Sequence, residues 1–363
     1  MVAHPFTPSR RLVLASLAAS LSACSSVGSA EPGGPVTSLA PTSPAPATAQ
    51  AAPVVPSAEP PGAPPPQAFR TWLEAFRAEA LRAGIRRETV ERSLSGLAPI
   101  QRVIELDRAQ PERTQTFEQY ITRVINDVRI NRARDLRRQH DGVLRQVAQR
   151  FGVPPRFVIA LWGLESDFGR ITGNFPIIAA LATLAWEGRR AQLFRSELLE
   201  ALRVVDSGAI TAEAWRGSWA GASGQSQFMP SSYRRFAVDF NGDGRADIWS
   251  NEADVFASIA NYLGRSGWNA RQTWGHAVSL SQPIPQDRTG IDIRRPVGEW
   301  LRNGVRFTGA AGDPALEASL VRPGGVGGRA WLVYGNYRVV MQWNRSTFFA
   351  TSVGLLADHI EAA

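Results

Sequence analysis

Apolar side chains recur at helical spacing through residues 69–149. Phe69, Trp72, Leu73 and Phe76 fall at i, i+3, i+4 and i+7, and Phe117, Tyr120, Ile121, Val124 and Val128 continue the period. Such stripes mark amphipathic helices with one face on a core. Pro111 separates two helical stretches, because proline is not tolerated in a helix interior. Pro154 and Pro155 open a further helix at the one turn where a missing N–H is harmless. Residues 157–164 are then apolar on almost every side, and the run ends on Glu165. Residues 177–206 are again helical in pattern, with Leu181, Leu184 and Ala185 preceding Trp186. After His276 the helical period weakens. Residues 278–340 carry short β-rich runs, including Trp331-Leu332-Val333-Tyr334 and Tyr337-Arg338-Val339-Val340, separated by Gly and Pro. They predict a small antiparallel subdomain. Residues 348–360 close the chain as a helix. The fold class is therefore α+β, mainly α, with helices throughout and a small β-rich part at 278–340.

The first 68 residues follow different rules. Arg10 and Arg11 precede an apolar stretch at 12–21 that is too short to span a bilayer, the pattern of an export signal. Leu21-Ser22-Ala23-Cys24 follows, and small residues before a cysteine resemble the lipobox of bacterial lipoproteins. Residues 1–23 are then a signal peptide and Cys24 the lipidation site. Cys24 is also the only cysteine, so an internal disulfide is excluded. Ser25 follows it where aspartate is absent, which favours the outer membrane under the enteric sorting rule. Residues 25–68 hold 12 of the 25 prolines among Ala, Ser, Gly and Thr. That composition cannot bury a core, so 24–68 reads as lipidated anchor and tether, with a reach on the order of 100 Å. The folded region is 69–363.

Of the 363 residues 44% are hydrophobic, enough for one or two packed domains. The net charge is +8, and every one of the 40 basic residues is arginine. Compositional bias is the preferred reading, and a surface that favours anionic polymers or membranes is the alternative. Nucleic acid is not a predicted partner, because no finger, RNP-like or basic-zipper pattern is present.

Two segments carry candidate chemistry. A carboxylate beside an apolar helix face is partly desolvated, which raises its pKa and suits Glu165 to general acid work. For an isolated glutamate, a structural hydrogen bond at the helix end stands beside that reading. Asp167, two residues on, faces another side and reads as structural or exposed. The segment from Gly217 to Ser232 is rich in glycine, serine and glutamine and includes Trp219. Its glycines allow close backbone approach to a ligand, and its polar groups suit a sugar. Together the two segments suit acid/base cleavage of a sugar chain. Asp239-Phe240-Asn241-Gly242-Asp243-Gly244-Arg245 fits the start of a calcium loop, with oxygens at positions 1, 3 and 5 and a backbone carbonyl at 7. Position 12 is Ser250, so closure falls to Glu252 or Asp254. A metal-free Asx turn is the alternative.

These marks, in this order, resemble the membrane-bound lytic murein transglycosylase B family. They are Val153-Pro154-Pro155, Glu165-Ser166-Asp167-Phe168-Gly169, Gly217-Ser218-Trp219-Ala220-Gly221-Ala222, Gln227-Phe228-Met229-Pro230-Ser231-Ser232-Tyr233, the calcium loop, Ala260-Asn261-Tyr262 and Trp343-Asn344-Arg345-Ser346. The resemblance covers 69–363. It implies a lysozyme-like core at about 145–275 with an added N-terminal helical region. It also implies Glu165 as the single catalytic acid/base, substrate contacts from Ser218, Gln227, Tyr262 and Asn344, and no cofactor for catalysis. A structural Ca²⁺ is implied at Asp239, Asn241, Asp243, Arg245 and Asp254. The implied reaction cuts the β-1,4 bond between N-acetylmuramic acid and N-acetylglucosamine of peptidoglycan and leaves 1,6-anhydromuramic ends. Glycan strands, the membrane (through Cys24) and cell-wall synthases are the implied partners. The implied location is the periplasm, at the inner face of the outer membrane. Two departures stand out: Gly224-Gln225-Ser226-Gln227 replaces a Gly-Tyr-Gly-Gln form, and Trp343 and Phe349 stand where tyrosines are common, which predicts a lost hydroxyl contact. A lysozyme-type hydrolase and a non-catalytic wall-binding lipoprotein are the competing readings.

Overall fold

The computed structural model describes residues 66–109, 115–187 and 190–361. The signal segment, Cys24, most of the tether and Pro111 lie outside the described residues. Helix α1 (Pro66–Arg82) begins three residues earlier than the tether boundary at 68 allows.

The N-terminal half is helical: α2 (Arg87–Leu94), α3 (Gln101–Ala109), α4 (Phe117–Val124), α5 (Asp127–Gln139) and α6 (Asp141–Phe151) lead to α7 (Pro155–Ser166). Its residues 157–161 are wholly buried. A helix that is apolar all round must be surrounded. The later α11 (Glu252–Arg265) and α14 (Thr347–Glu361) pack on α7 together with α5 and α6. The intervening chain forms a two-stranded ribbon, β1 (Phe175–Pro176) with β2 (Arg216–Gly217), and helices α8 (Ile177–Glu187), α9 (Ala191–Asp206) and α10 (Pro230–Phe236).

A second, smaller core lies under an antiparallel sheet of β3 (Gly275–Leu280), β4 (Arg295–Pro296), β5 (Val305–Phe307), β6 (Glu317–Val321) and β7 (Ala330–Val333), ordered β4-β6-β7-β3-β5. With α12 (Val297–Arg302) these strands bury Val297, Trp300, Val305, Leu320, Leu332 and Tyr334.

Two expectations need correction. Residues 337–340 are not a strand but part of α13 (Gly335–Trp343). A short apolar run is ambiguous by period alone, and tertiary anchors decide it. Buried Asn336 donates to the Asn269 and Gln272 carbonyls and accepts from the Asn269 amide, while the Tyr337 hydroxyl reaches the Thr347 carbonyl and the Thr351 hydroxyl. Val128 is not core either, being 76% exposed. Helix α4 ends at Val124, and Asn126 starts α5 afresh by accepting from the Arg129 amide at 2.9 Å, so the period is broken between them.

Candidate active site

Glu165 sits in the last turn of α7 and is 7% exposed. Trp343, the last residue of α13, donates its indole N–H to Glu165 Oε1 at 2.7 Å. The indole is held in place on two sides. The Tyr262 ring of α11 meets it edge-on at 4.7 Å, and Phe228 lies at 5.3 Å. The Tyr262 hydroxyl donates to the Gln342 carbonyl at 2.8 Å and fixes the backbone just before Trp343. Asn344 follows as the buried C-cap of α13. Glu165, Tyr262 and Asn344 are thus gathered around one tryptophan. Trp343, which stands where a tyrosine is common, thus offers Glu165 an N–H. Phe349, the other replacement, is buried in α14.

The chain leaves α7 by an unusual turn. Asp167 (φ 52) and Phe168 (φ 59) are both left-handed, and with Gln227 (φ 48) they are the non-glycine residues of positive φ among the described residues. Such conformations cost about 1–3 kcal/mol each and persist only where the surroundings over-determine them. Phe168 packs where a Cβ on Gly163 would lie 2.6 Å from its ring. Asp167 lies 3.6 Å from the Arg129 guanidinium of α5 and pairs also with Arg170.

The glycine-rich segment folds back on itself through bridges of Ser223 to Gly217 and to Phe228. Gly224 is left-handed (φ +68), and a Cβ there would come within 2.8 Å of Ile248, so only glycine fits. Gln225 ties this segment to α7. Its Oε1 accepts from Trp162 Nε1 at 2.8 Å, its Nε2 donates to the Trp249 carbonyl at 3.2 Å, and its own carbonyl accepts from the Ser166 hydroxyl at 2.6 Å. Ser218 and Gln227 are half-buried in the same segment. Ser218 Oγ accepts from the Ala222 amide at 3.0 Å, and Gln227 Nε2 donates to the carbonyls of Thr172 at 3.1 Å and Gly224 at 2.8 Å. Trp343 and Gln225 were not singled out as site residues from sequence. Their one signal was that each departs from the pattern the rest of the chain follows.

The remaining buried acids have structural partners. Asp107 pairs with Arg190. Glu197 accepts from the Ser231 amide and hydroxyl at 2.9 and 2.6 Å, at the start of α10. Asp247 and Asp254 belong to the acidic loop.

In that loop Asp239 accepts from the amides of Gly242, Asp243 and Gly244, and Asn241 donates to Asp243. Buried Asp254 clamps the loop, one oxygen accepting from the Phe240 amide at 2.8 Å and the other from the Asp247 amide at 2.7 Å. Burial raises the Asp254 pKa and the Asp239 charge adds to it, against the opposing pull of the amides. For Asp247 burial also pushes upward, but the Ser250 hydroxyl and the Ser250 and Trp249 amides outweigh it and hold the carboxyl below its usual range. The Arg245 side chain pairs with Asp247. Among the described residues no three His, Cys, Asp or Glu side chains converge as a metal site. The donor set is nevertheless of the right type for a hard cation: oxygens of Asp239, Asn241, Asp243 and Asp254, with carboxylate charge crowded together.

The sequence profile of the family described as Transglycosylase SLT domain matches residues 68–358. The membrane-bound lytic murein transglycosylase B of Escherichia coli (strain K12) is 33% identical over 227 residues, 62% of this chain and 62% of that relative. The chain thus matches under two thirds of that relative's length. SltB3 from Pseudomonas aeruginosa, solved in complex with NAG-anhNAM-pentapeptide, superposes with TM-score 0.78 at 40% identity over 82% of this chain and 80% of that one. The Escherichia coli lytic transglycosylase Slt35, solved in complex with calcium, superposes with TM-score 0.71 at 27% identity over 80% and 92%. Among the described residues no helix is long and apolar enough to cross a membrane.

Proposed function

The chain belongs to the Transglycosylase SLT domain family, and from that premise we propose that it is a peptidoglycan lytic transglycosylase. The observation that carries the reading is the buried carboxyl of Glu165, hydrogen-bonded in an aromatic site, while the other buried acids among the described residues serve an ion pair, a helix start and the acidic loop. Glycosidases that use water pair two carboxylates; one suffices when the nucleophile is already part of the substrate.

Glu165 protonates the oxygen of the β-1,4 bond between N-acetylmuramic acid and N-acetylglucosamine, and the C1–O bond breaks. The resulting carboxylate then takes the proton of the C6 hydroxyl as O6 closes on C1. The product is a 1,6-anhydromuramic end, and no water is consumed. The tethered hydroxyl acts at high effective concentration. Ser218, Gln227 and Asn344 are the proposed sugar contacts. Tyr262 is a further proposed contact: its hydroxyl donates to the Gln342 carbonyl and keeps its acceptor lone pairs for a sugar hydroxyl. Catalysis needs no cofactor. Calcium at the acidic loop is assigned a stabilising role, since oxygen donors of that kind favour it. Cys24 is the proposed lipid anchor, 24–65 the tether, and the periplasmic face of the outer membrane the location. A mature protein without acyl groups by mass spectrometry would end the anchor proposal.

The test of the activity is digestion of purified sacculi followed by mass spectrometry. Products lighter by one water than lysozyme products support it. Reducing-end muramic acid as the main product would instead make the protein a hydrolase.

A further inference from the structure

We propose that a cleft in the small subdomain binds the C-terminal alanine carboxylate of a peptidoglycan peptide stem. The choice of ligand rests on the peptidoglycan reading above. The cleft measures about 100 Å³ and is lined from the segment 282–288, from β4 and from the end of α12. Pockets for whole small molecules run to roughly 300–1,000 Å³, so this one takes a chain end and not an entire ligand. Its floor is apolar, since Ile284 and Trp300 are buried members of the second core. Pro283 and Pro285 stiffen the segment beside them.

The polar lining is of two kinds. Arg288 and Arg295 bring guanidinium groups, and no carboxylate lines the cleft. Arg295 pairs with Glu299 and lies over the Trp300 ring at 5.4 Å, so it is fixed and its charge is answered. The Arg288 guanidinium has no hydrogen bond or ion pair among the described residues. Gln282 and Asn303 bring amides. Gln282 Nε2 donates to the Asn303 carbonyl at 3.1 Å and Asn303 Nδ2 to the Glu299 carbonyl at 2.8 Å, which leaves both amide oxygens as acceptors. A free guanidinium suits a carboxylate, an amide oxygen suits the adjacent peptide N–H, and the apolar floor suits a methyl group. That combination describes an acylated alanine with a free carboxyl end.

The site is built before any ligand arrives. Arg288 ends a single 3-10 turn, Gln286–Arg288. Thr289 behind it donates its amide and its hydroxyl to the Gln286 carbonyl at 3.1 and 3.0 Å. Buried Arg322, just past β6, reaches the Thr289 hydroxyl at 3.3 Å, and the Gly290 amide donates to the Leu320 carbonyl at 2.8 Å. These bonds pin the turn to the sheet. A stem held here is a second attachment to a polymeric substrate, and two weak attachments to one polymer act together.

The probe is N-acetyl-D-alanyl-D-alanine, titrated into the folded protein by NMR, with its C-terminal amide and inorganic phosphate as controls. Saturable binding of the acid is expected, with shifts confined to 282–288 and 295–303. Arg288→Gln should weaken it about tenfold, the worth of one hydrogen bond to a charged group, and Arg288→Lys should recover part of the loss. Both variants should melt with the wild type, because the guanidinium holds nothing in the fold. On soluble glycan strands that carry stems, Arg288→Gln should raise KM and leave kcat unchanged. On strands stripped of stems it should match the wild type in both. No saturable binding, an amide or phosphate that binds as tightly as the acid, or undiminished binding by Arg288→Gln would overturn the proposal. Binding is read without turnover, so reducing-end products would overturn the transglycosylase reading and leave this site standing.

Discussion

Replacing Gln225 by alanine removes the tie between the catalytic helix and the glycine-rich segment. Gln225 is 7% exposed, and its Oε1 is the acceptor for the Trp162 indole, itself 3% exposed. Without it a buried N–H loses its acceptor, which costs about 1–3 kcal/mol. The lost side-chain packing adds about 1 kcal/mol. The sum, about 2–4 kcal/mol, corresponds to a fall in Tm of about 3–6 °C for a domain of this size. Gln225→Met keeps the length of the side chain and should lose most of the same stability, which assigns the loss to the hydrogen bonds. Trp162 lies one turn before Glu165, so a shift of the indole is transmitted to the acid. A displacement near 1 Å at a reacting group is worth up to about 10²-fold in rate, and kcat should fall by at least about tenfold. Urea titration and glycan-digestion kinetics on the folded variants measure both. If the methionine variant kept its stability within about 0.5 kcal/mol and its full kcat, Gln225 would not be the brace described.

Three further outcomes are expected. Glu165→Gln should lower activity by at least about 10³-fold, since one residue performs both proton transfers, while the variant still pulls down glycan strands; a tenth of wild-type activity would disprove the assignment. Calcium at a hundred times its Kd should add about 2.7 kcal/mol to stability, an effect that Asp239→Ala with Asp254→Asn abolishes; equal melting temperatures in calcium and chelator would count against the site. His276 is half-buried with Nδ1 2.8 Å from the Tyr334 hydroxyl, and burial lowers its pKa. Its contribution to stability is complete above the unfolded value near 6.5 and is lost as pH falls from there through the folded value. A His276→Gln protein should show a flatter melting curve between pH 7.5 and 5 than the wild type, and parallel curves would show that the imidazole is not the sensor.

What the sequence made legible followed from local rules. The apolar run of 157–164 demanded burial, and its carboxylate end was therefore the residue to watch. The glycines of 217–224 announced a tight segment before any fold was known. Gln225 and Trp343 could not be found this way. A glutamine in a polar loop is unremarkable until Trp162, sixty-three positions away, is brought against it, and a tryptophan at a helix end reads as core until its N–H is aimed at Glu165. The same limit misassigned residues 337–340, where the anchors Asn269, Gln272 and Thr351 lie far from the run they convert to helix. The backbone tells a related story. Asp167, Phe168 and Gln227 adopt conformations that their own side chains disfavour, and all three stand next to the groups proposed to act. Sequences agree with their folds at most levels because disagreement costs stability. A chain that keeps two such residues directly after Glu165 and a third in the glycine-rich segment tied to the same helix holds them by the structure around them. The strain is thus a second, independent pointer to Glu165, and it comes from geometry that residue spacing does not encode.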